Sequence, residues 1–429
     1  MVDSKLIKKI ASLLLALIFV STATVYPFQD TLRVPLGKTA ERLENILHVV
    51  TDTPEVELII NSQFKIGYQP VTAVADDLNT ETTAITAAVL TEAGLRGKAR
   101  GLDKKDPIQR KEIAVIKDAA DSMAKKIYQR VIEGSGSVVH VHVSEGFGRD
   151  ALSAEDVFQS NERINPRGTK GRQHAIVDVV EGTNSFVTNA DGKRLSELKD
   201  SESGATSIMI TGSGVKALGN CPDCYVHYIG TTVSPEKRNE FTGKNALDPE
   251  LIAKDPAKIE GMLSRIANAN NIGIGDLEVV VMARDREKQN LDVLAELQKK
   301  YAGLKVVKIS DGTVAHSLEA TFGRKEGKHK VVMTVGGAPE GFFNLAIAGS
   351  FKDQGALASM RIYSMHVNET ASGEKATNLA TRYIFDANEI AYIKELRPSD
   401  GEAVLKGERL FTQEDVKGNV EGSMAFITN

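Results

Sequence analysis

The sequence predicts a layered α/β fold (α+β in layers), and three observations predict it. Short apolar, β-branched runs alternate with stretches of helical period, glycine stands at the ends of both, and 429 residues can bury a large core without disulfides or a structural metal. The composition is that of a globular chain, 41% apolar and 26% charged, with no Trp. A net charge of −4 gives no basic footprint for nucleic acid. An acidic chain that handles anionic phosphate must gather its cations locally or recruit metal ions.

The chain begins with Lys5, Lys8 and Lys9, an apolar run from Ile10 to Val20, and Ser21-Thr22-Ala23. That is the pattern of an export signal, residues 1–23, in a run too short for an ordinary transmembrane helix. An uncleaved anchor or a buried amphipathic helix is the alternative, and only through this segment would the chain meet a membrane. Residues 24–75 read as an extension with a helical stretch Thr39–His48 and a strand-like Val56–Ile60. An Ala-rich helix is expected over Thr80–Leu95, followed by a basic loop from Arg96 to Lys105. Glu112–Val131 has the period of an amphipathic helix, with Ile113, Ile116, Ala120, Met123 and Ile127 on one face. Gly134-Ser135-Gly136 ends it, and Val138–Val143 reads as a strand with His140 and His142 on the same face.

Strands follow at Ala175–Val180 and Ala205–Thr211. Gly212 and Gly214 mark a boundary near residue 215, which divides the rest into units 76–215 and 216–429. Glu278–Met282, Lys305–Ile309 and Lys330–Val335 read as strands, with helices over Arg286–Tyr301 and Phe342–Ala348. The two cysteines, Cys221 and Cys224, form a C-x-x-C with only His227 as a further ligand nearby. Two small residues beside a buried strand is the plainer reading than a redox pair or half a zinc site.

The segment richest in chemistry is His174-Ala-Ile-Val-Asp178-Val-Val-Glu181-Gly182-Thr183. An apolar strand ends in one carboxylate, a second lies three residues on, and Gly-Thr follows. Such a turn can let Asp178 and Glu181 share hard divalent cations, while Gly182 allows close backbone approach and the Thr183 hydroxyl can orient an attacking water. Solvated acids at a strand end are the alternative. Glu145, after the strand Val138–Val143, and Glu340, between a strand and a helix, repeat the carboxylate-plus-glycine arrangement.

Gly336-Gly-Ala-Pro-Glu-Gly341 resembles the Gly-Gly-Ala-Pro-Glu-Gly signature of the class II fructose-1,6-bisphosphatases, of the lithium-sensitive, inositol-monophosphatase-like phosphatase superfamily. Asp178-Val-Val-Glu-Gly-Thr183 is similar to that family's Asp-Pro-x-Glu-Gly-Thr, Pro222-Asp-Cys-Tyr225 to its Pro-Asp-Met-Tyr, and Ser310-Asp311-Gly312 to its Pro-Asp-Gly-Asp turn. The resemblance implies an inositol-phosphatase-type α-β sandwich that hydrolyses a sugar bisphosphate, fructose 1,6-bisphosphate foremost, with Mn²⁺ or Mg²⁺. It places metal carboxylates on Glu145, Asp178, Glu181 and Glu340, and a fifth on Glu112, with Asp118 and Asp121 left open. Asp106, six residues earlier, resembles the early acidic motif of the superfamily. Substrate contacts fall on Glu181, Gly182, Thr183, Tyr225, Arg284, Asp285, Arg286, Asp311, Gly312, Thr313 and Gly337, and catalysis on Thr183, Glu181 and Asp178. It also implies a cytoplasmic enzyme, against the export-like N-terminus, and a homo-oligomer is compatible with it.

The departures are specific. Phe147 and Arg149 stand where the family has acids, with Asp150 beside them; Asp285 stands where it has proline, and Thr313 where it has aspartate. The pattern also implies a C-terminal portion beyond Asn429. Two rivals follow: a phosphatase for another sugar or inositol phosphate, and a degenerate homologue that binds metal or sugar phosphate without turnover.

Overall fold

Two six-stranded sheets, with helices outside and between them, are what the alternating periods build. The computed structural model describes residues 57–59, 78–93, 95–103, 106–144, 158, 161–188, 205–221, 225–249, 256–284, 287–309, 312–322, 328–362, 391, 394–395, 397–406 and 408–427. The signal-like segment and the helical stretch Thr39–His48 lie outside them. In chain order the first elements are β1 (Glu57–Ile59), α1 (Leu78–Glu92), α2 (Pro107–Ser135), β2 (Val138–Ser144), β3 (Arg163–Ile164), β4 (Arg172–Glu181), α3 (Thr183–Thr188), β5 (Thr206–Thr211) and α4 (Ser213–Leu218). Then come β6 (Tyr225–Thr232), α5 (Pro256–Ala269), β7 (Leu277–Met282), α6 (Lys288–Lys300), β8 (Lys305–Ile309), α7 (Val314–Phe322) and β9 (His329–Gly337). The last are α8 (Ala338–Ser350), β10 (Ala356–Ile362), α9 (Gly401–Leu405), β11 (Phe411–Thr412) and β12 (Glu421–Phe426).

The long helix α2 starts earlier than its apolar period suggests because Asp106 caps it. The Asp106 side chain accepts from the Ile108 and Gln109 amides and Pro107 takes the first helical position, where no amide is needed. Those bonds hold the Asp106 carboxyl below its usual pKa. Gly136, left-handed at φ 74°, ends the helix. In α1 the buried Thr82, Thr83 and Thr86 donate to carbonyls four residues back, so a polar sequence can be packed between α2 and the first sheet.

The first sheet has the order β1-β12-β5-β4-β2-β3 and the second β11-β10-β6-β9-β7-β8. Pairing is antiparallel except β2 with β4, and β7 with both β8 and β9. Strand alternation then sorts side chains into layers. Val139, Val141, Ala175, Val177 and Val179 pack with α1 and α2 on the outside of the first sheet. Ile176 and Ile208 of the first sheet and Val226, Tyr228, Val280 and Val332 of the second share one core with α4, α7 and α8. Val279, Val281, Val331 and Met333 face α5 and α6 on the far side. The result is five layers, αβαβα, an α/β sandwich as the sequence predicts. The last strand, β12, crosses back from the later part of the chain to pair with β5 in the first sheet.

Predicted strands recur with ends shifted by a few residues, and the helix expected from Phe342 begins at Ala338. The strands β6 and β10 and the helices α5 and α7 are elements the sequence reading did not assign. Among the described residues, no helix is long and apolar enough to cross a membrane.

Candidate active site

Parallel strands deliver their chains to one edge of a sheet, where the following helices begin, and that edge is where open α/β sheets hold ligands. Here the carboxyl end of β4 carries Asp178, Glu181 and Thr183. The carboxyl ends of β7, β8 and β9 carry Arg284, Gly312-Thr313 and Gly337 with Glu340. Central helices α7 and α8 span the gap between the two groups.

Asp178 lies on the same face as Ile176, toward the central layer, and is 1% exposed. Past it the register with β5 shifts, a bulge that ends at Glu181, itself 3% exposed. One oxygen of Glu181 accepts from the backbone amides of Thr313 (2.7 Å) and Val314 (3.3 Å) at the start of α7. A carboxylate at a helix N-terminus meets the positive end of the helix dipole, so this long-range bond fixes the β4 turn to the second sheet. Gly182 follows at φ 76°, a conformation a side chain resists, and turns the chain into α3.

Thr183 opens α3. Its hydroxyl lies 2.6 Å from the Val180 carbonyl and 3.3 Å from Asp121 Oδ1 on α2. Asp121 and Asp118 are both buried, at 6% and 7% exposure, among Ala120, Ala124 and Ile127. Glu112 is exposed on the same helix. Nine residues separate it from Asp121, roughly 13 Å along the axis at 1.5 Å per residue. The structure therefore brings Asp121, and not Glu112, to Thr183.

At the end of β9, Gly336 lies against the Tyr228 ring; a Cβ there would sit 2.8 Å from the ring carbon Cε1. That close approach places Glu340 in the first turn of α8, where Oε2 is buried and makes no hydrogen bond to a described residue. The Tyr228 hydroxyl donates to Thr313 Oγ1. Burial raises its pKa well above the ordinary phenol value, and the charges of Glu340 and then Glu181 add to this. Thr313 ties Tyr228 to Glu181, its Oγ1 accepting from the tyrosine and its amide donating to the carboxylate. Tyr228 was missed in the sequence, where alternation along Tyr225–Thr232 could have found it: Val226 and Tyr228 belong to the central core, and Ile229 to the outer one. Tyr225 shares the parity of Ile229 and pairs in register with Gly337.

Arg284 is half-buried just after β7. The loop is pinned by Glu287, fully buried, which accepts from Thr334 Oγ1 (2.5 Å), Asn290 Nδ2 (2.8 Å) and the Val335 amide. Glu287 is a second residue the sequence reading missed; a Glu ahead of a helix start is too common to stand out. Glu145, Phe147, Arg149, Asp150, Asp285, Arg286, Asp311 and Cys224 lie outside the described residues. Cys221 is buried. Among the described residues, the group with metal-ligand spacing is His140, His142 and His174, without Cys221 or His227.

Residues 114–401 match the family model described as bacterial fructose-1,6-bisphosphatase, glpX-encoded. The chain belongs to that family. No curated protein matches the sequence. The matched span takes in Asp118, Asp121, Asp178, Glu181, Thr183 and Glu340 and leaves out Glu112 and β12. Family membership makes this bisphosphatase-family chain a hydrolase of the phosphatase type.

Proposed function

We propose that the chain hydrolyses fructose 1,6-bisphosphate to fructose 6-phosphate and phosphate, at the edge where β4 meets α7 and α8. The observation that carries this reading is the link from Glu181 through Thr313 to Tyr228, beside α8 with Glu340 in its first turn, with Asp178 on the strand of Glu181 and Asp121 at Thr183. These are hard oxygen donors, and a buried Glu340 oxygen without a hydrogen bond is what an absent cation would leave. Asp178, Glu181, Glu340 and Asp121 or Asp118 would hold Mg²⁺ or Mn²⁺, with Glu145 as a further ligand. Such cations supply positive charge for the phosphoryl oxygens and acidity for the attacking water.

The remaining steps belong to side chains. Asp121 orients the Thr183 hydroxyl, so that Thr183 Oγ1 accepts a proton from the attacking water while its own passes toward Asp121 Oδ1. Glu181, held by the Thr313 and Val314 amides, keeps the β4 turn beside α7. Arg284 and the amides at the start of α8 take the phosphate as it leaves, with Arg286, Asp311 and Gly337 completing the substrate contacts. Tyr228 stays protonated and donates to Thr313 Oγ1, whose amide holds Glu181.

A binding-only reading is favoured by one feature. Thr313 stands where the family carries an aspartate, and it is bonded to Tyr228 and Glu181, so the turn is one charge less acidic. Phosphate release from a panel of sugar and inositol phosphates, with Mg²⁺ and with Mn²⁺, tests both readings. Preference for fructose 1,6-bisphosphate supports the proposal. Metal binding without turnover of any ester establishes the binder instead.

A further inference from the structure

At the other end of the parallel pair β2 and β4, three imidazoles meet. His140 and His174 are register partners across the two strands, and His142 sits at the bulge between Val141 and Val143, its ring centroid 4.4 Å from that of His140 and 5.0 Å from that of His174. One ring nitrogen from each of the three lies within 4.8 Å of the others. His142 Nε2 stands 2.7 Å from His174 Nδ1, and His140 Nε2 is 2.6 Å from Asn161 Oδ1. His142 is 4% exposed, and the other two are half-buried, which leaves a path to solvent.

We propose that this trio binds one transition-metal dication of the Zn²⁺ class, distinct from the carboxylate site, and pins β2 to β4. Neutral imidazoles suit Zn²⁺ and its neighbours, whereas Mg²⁺ and Mn²⁺ prefer carboxylate oxygen. The outer atoms fit as well. Ligating histidines usually donate their second ring N–H to a carbonyl or carboxylate. Asn161 Oδ1 is already at His140 Nε2, which leaves His140 Nδ1 as the ligating atom. The Asn220 amide lies beside His142, and both His142 Nδ1 and Asn220 Oδ1 are buried without a hydrogen bond of ordinary geometry.

Metal binding resolves that defect. In the contact between His142 Nε2 and His174 Nδ1 one nitrogen carries a proton; ligation moves it to the outer nitrogen of the same ring, on His142 to Nδ1, where Asn220 Oδ1 accepts it. No proton need leave the protein. Nitrogens around a tetrahedral zinc at about 2.0–2.1 Å are about 3.3 Å apart, so the 2.7 Å contact opens by about 0.6 Å and His140 draws in. Burial lowers the pKa of all three rings, that of His142 to about 3, and keeps them in the ligating form. The neighbouring charges Arg163, Arg172 and Lys216 oppose a dication and hold its affinity below that of a closed structural zinc site. They also favour water, hydroxide or an inorganic anion in the fourth position. His174 is four residues before Asp178, about 13 Å along the strand, so the two sites share a strand but no ligand.

The test is titration of the full chain with Co²⁺, and with Zn²⁺ against a chromophoric chelator, in excess Mg²⁺. One equivalent bound, the visible absorption of low-coordinate Co²⁺ and a raised unfolding midpoint are expected. The half-buried variants His174→Gln and His140→Gln, each checked for folding by circular dichroism, are expected to lose affinity by about 10- to 100-fold or more. Asp178→Asn is expected to keep it. Absence of stoichiometric binding, binding undiminished in both histidine variants, or loss in Asp178→Asn alone overturns the proposal. The readouts are independent of phosphatase activity.

Discussion

Glu278 and Glu181 are buried carboxylates serving opposite ends of the second sheet, and the fold treats them differently. Glu278, the second residue of β7, is 1% exposed, with Lys305 Nζ at 2.9 Å and Lys330 Nζ, itself buried, at 3.2 Å; Lys330 also reaches Glu319. Side-chain cations answer its charge. Glu181, at the end where β7, β8 and β9 finish, is held by two amides, and Glu340 stands in the first turn of α8 at the same end. One end is built to be neutral by itself. The other gathers negative charge around helix N-termini, the arrangement expected where a cation belongs to the reaction and not to the fold.

The largest expected effect lies at the lysine end. Lys330→Met removes the buried ammonium and leaves Glu278 and Glu319 without it. Breaking one partner of a buried ion pair costs about 3–5 kcal/mol, so chemical denaturation should show a loss of that size. Rates per folded molecule should be unchanged; a collapse in kcat with stability intact would erase the contrast between the two ends.

At the carboxylate end the expectation inverts. Asp178→Asn, Glu181→Gln, Glu340→Gln and Asp121→Asn should each retain the fold and lose at least about 10²-fold in phosphate release. Double variants should lose little more, because ligands of one site act as a unit. Exposed Glu112→Gln should match the unaltered chain. Equal losses from Glu112→Gln and Asp121→Asn would return the fifth acid to the start of the helix, and activity that survives full chelation would remove the cation from the reaction.

How much of this was legible follows from which signals are local. The strands β4 and β9, which lead to Glu181 and Glu340, were readable because apolar runs end abruptly where acids stand beside glycine. Strand β6 was missed, since Gly230 interrupts its run, and that glycine answers to the Asn344 side chain on α8, a contact no local period shows. Asp118 and Asp121 fall inside the apolar stripe of α2, three residues apart, and both are buried there. Motif spacing put Glu112 first and left Asp118 and Asp121 open, because burial within the helix is not a local signal. Tyr228 bonds Thr313, 85 residues away, and Glu287 bonds Thr334, 47 residues away, contacts that sequence order hides.

A smaller effect is expected from the phosphate side. Arg284→Ala should raise KM by about 10-fold with kcat nearly unchanged, the signature of a contact made equally in ground and transition states. Steady-state kinetics with fructose 1,6-bisphosphate decide this. A kcat loss at constant KM would move Arg284 into the reacting centre.

The smallest effect separates the two ends by pH. His329 starts β9 next to Lys330, with Nε2 2.8 Å from the Thr232 carbonyl and 3.1 Å from Thr231 Oγ1. Burial lowers its pKa below 6.5, and the Thr232 carbonyl offsets only part of that. The unfolded chain therefore binds this proton first as pH falls. The stability associated with neutral His329 is complete above about 6.5 and drains away below it, with a slope of at most about 1.4 kcal/mol per pH unit for one proton. His140, His142 and His174 titrate in the same direction, so the measurement is a difference: denaturation midpoints of the unaltered chain and His329→Gln between pH 8 and pH 5. The two curves should run parallel above pH 7 and converge below 6.5, while the metal concentration for half-maximal phosphate release stays the same in both. A variant whose metal requirement shifts would tie the lysine end to the reaction, and the division of labour between the two ends would fail.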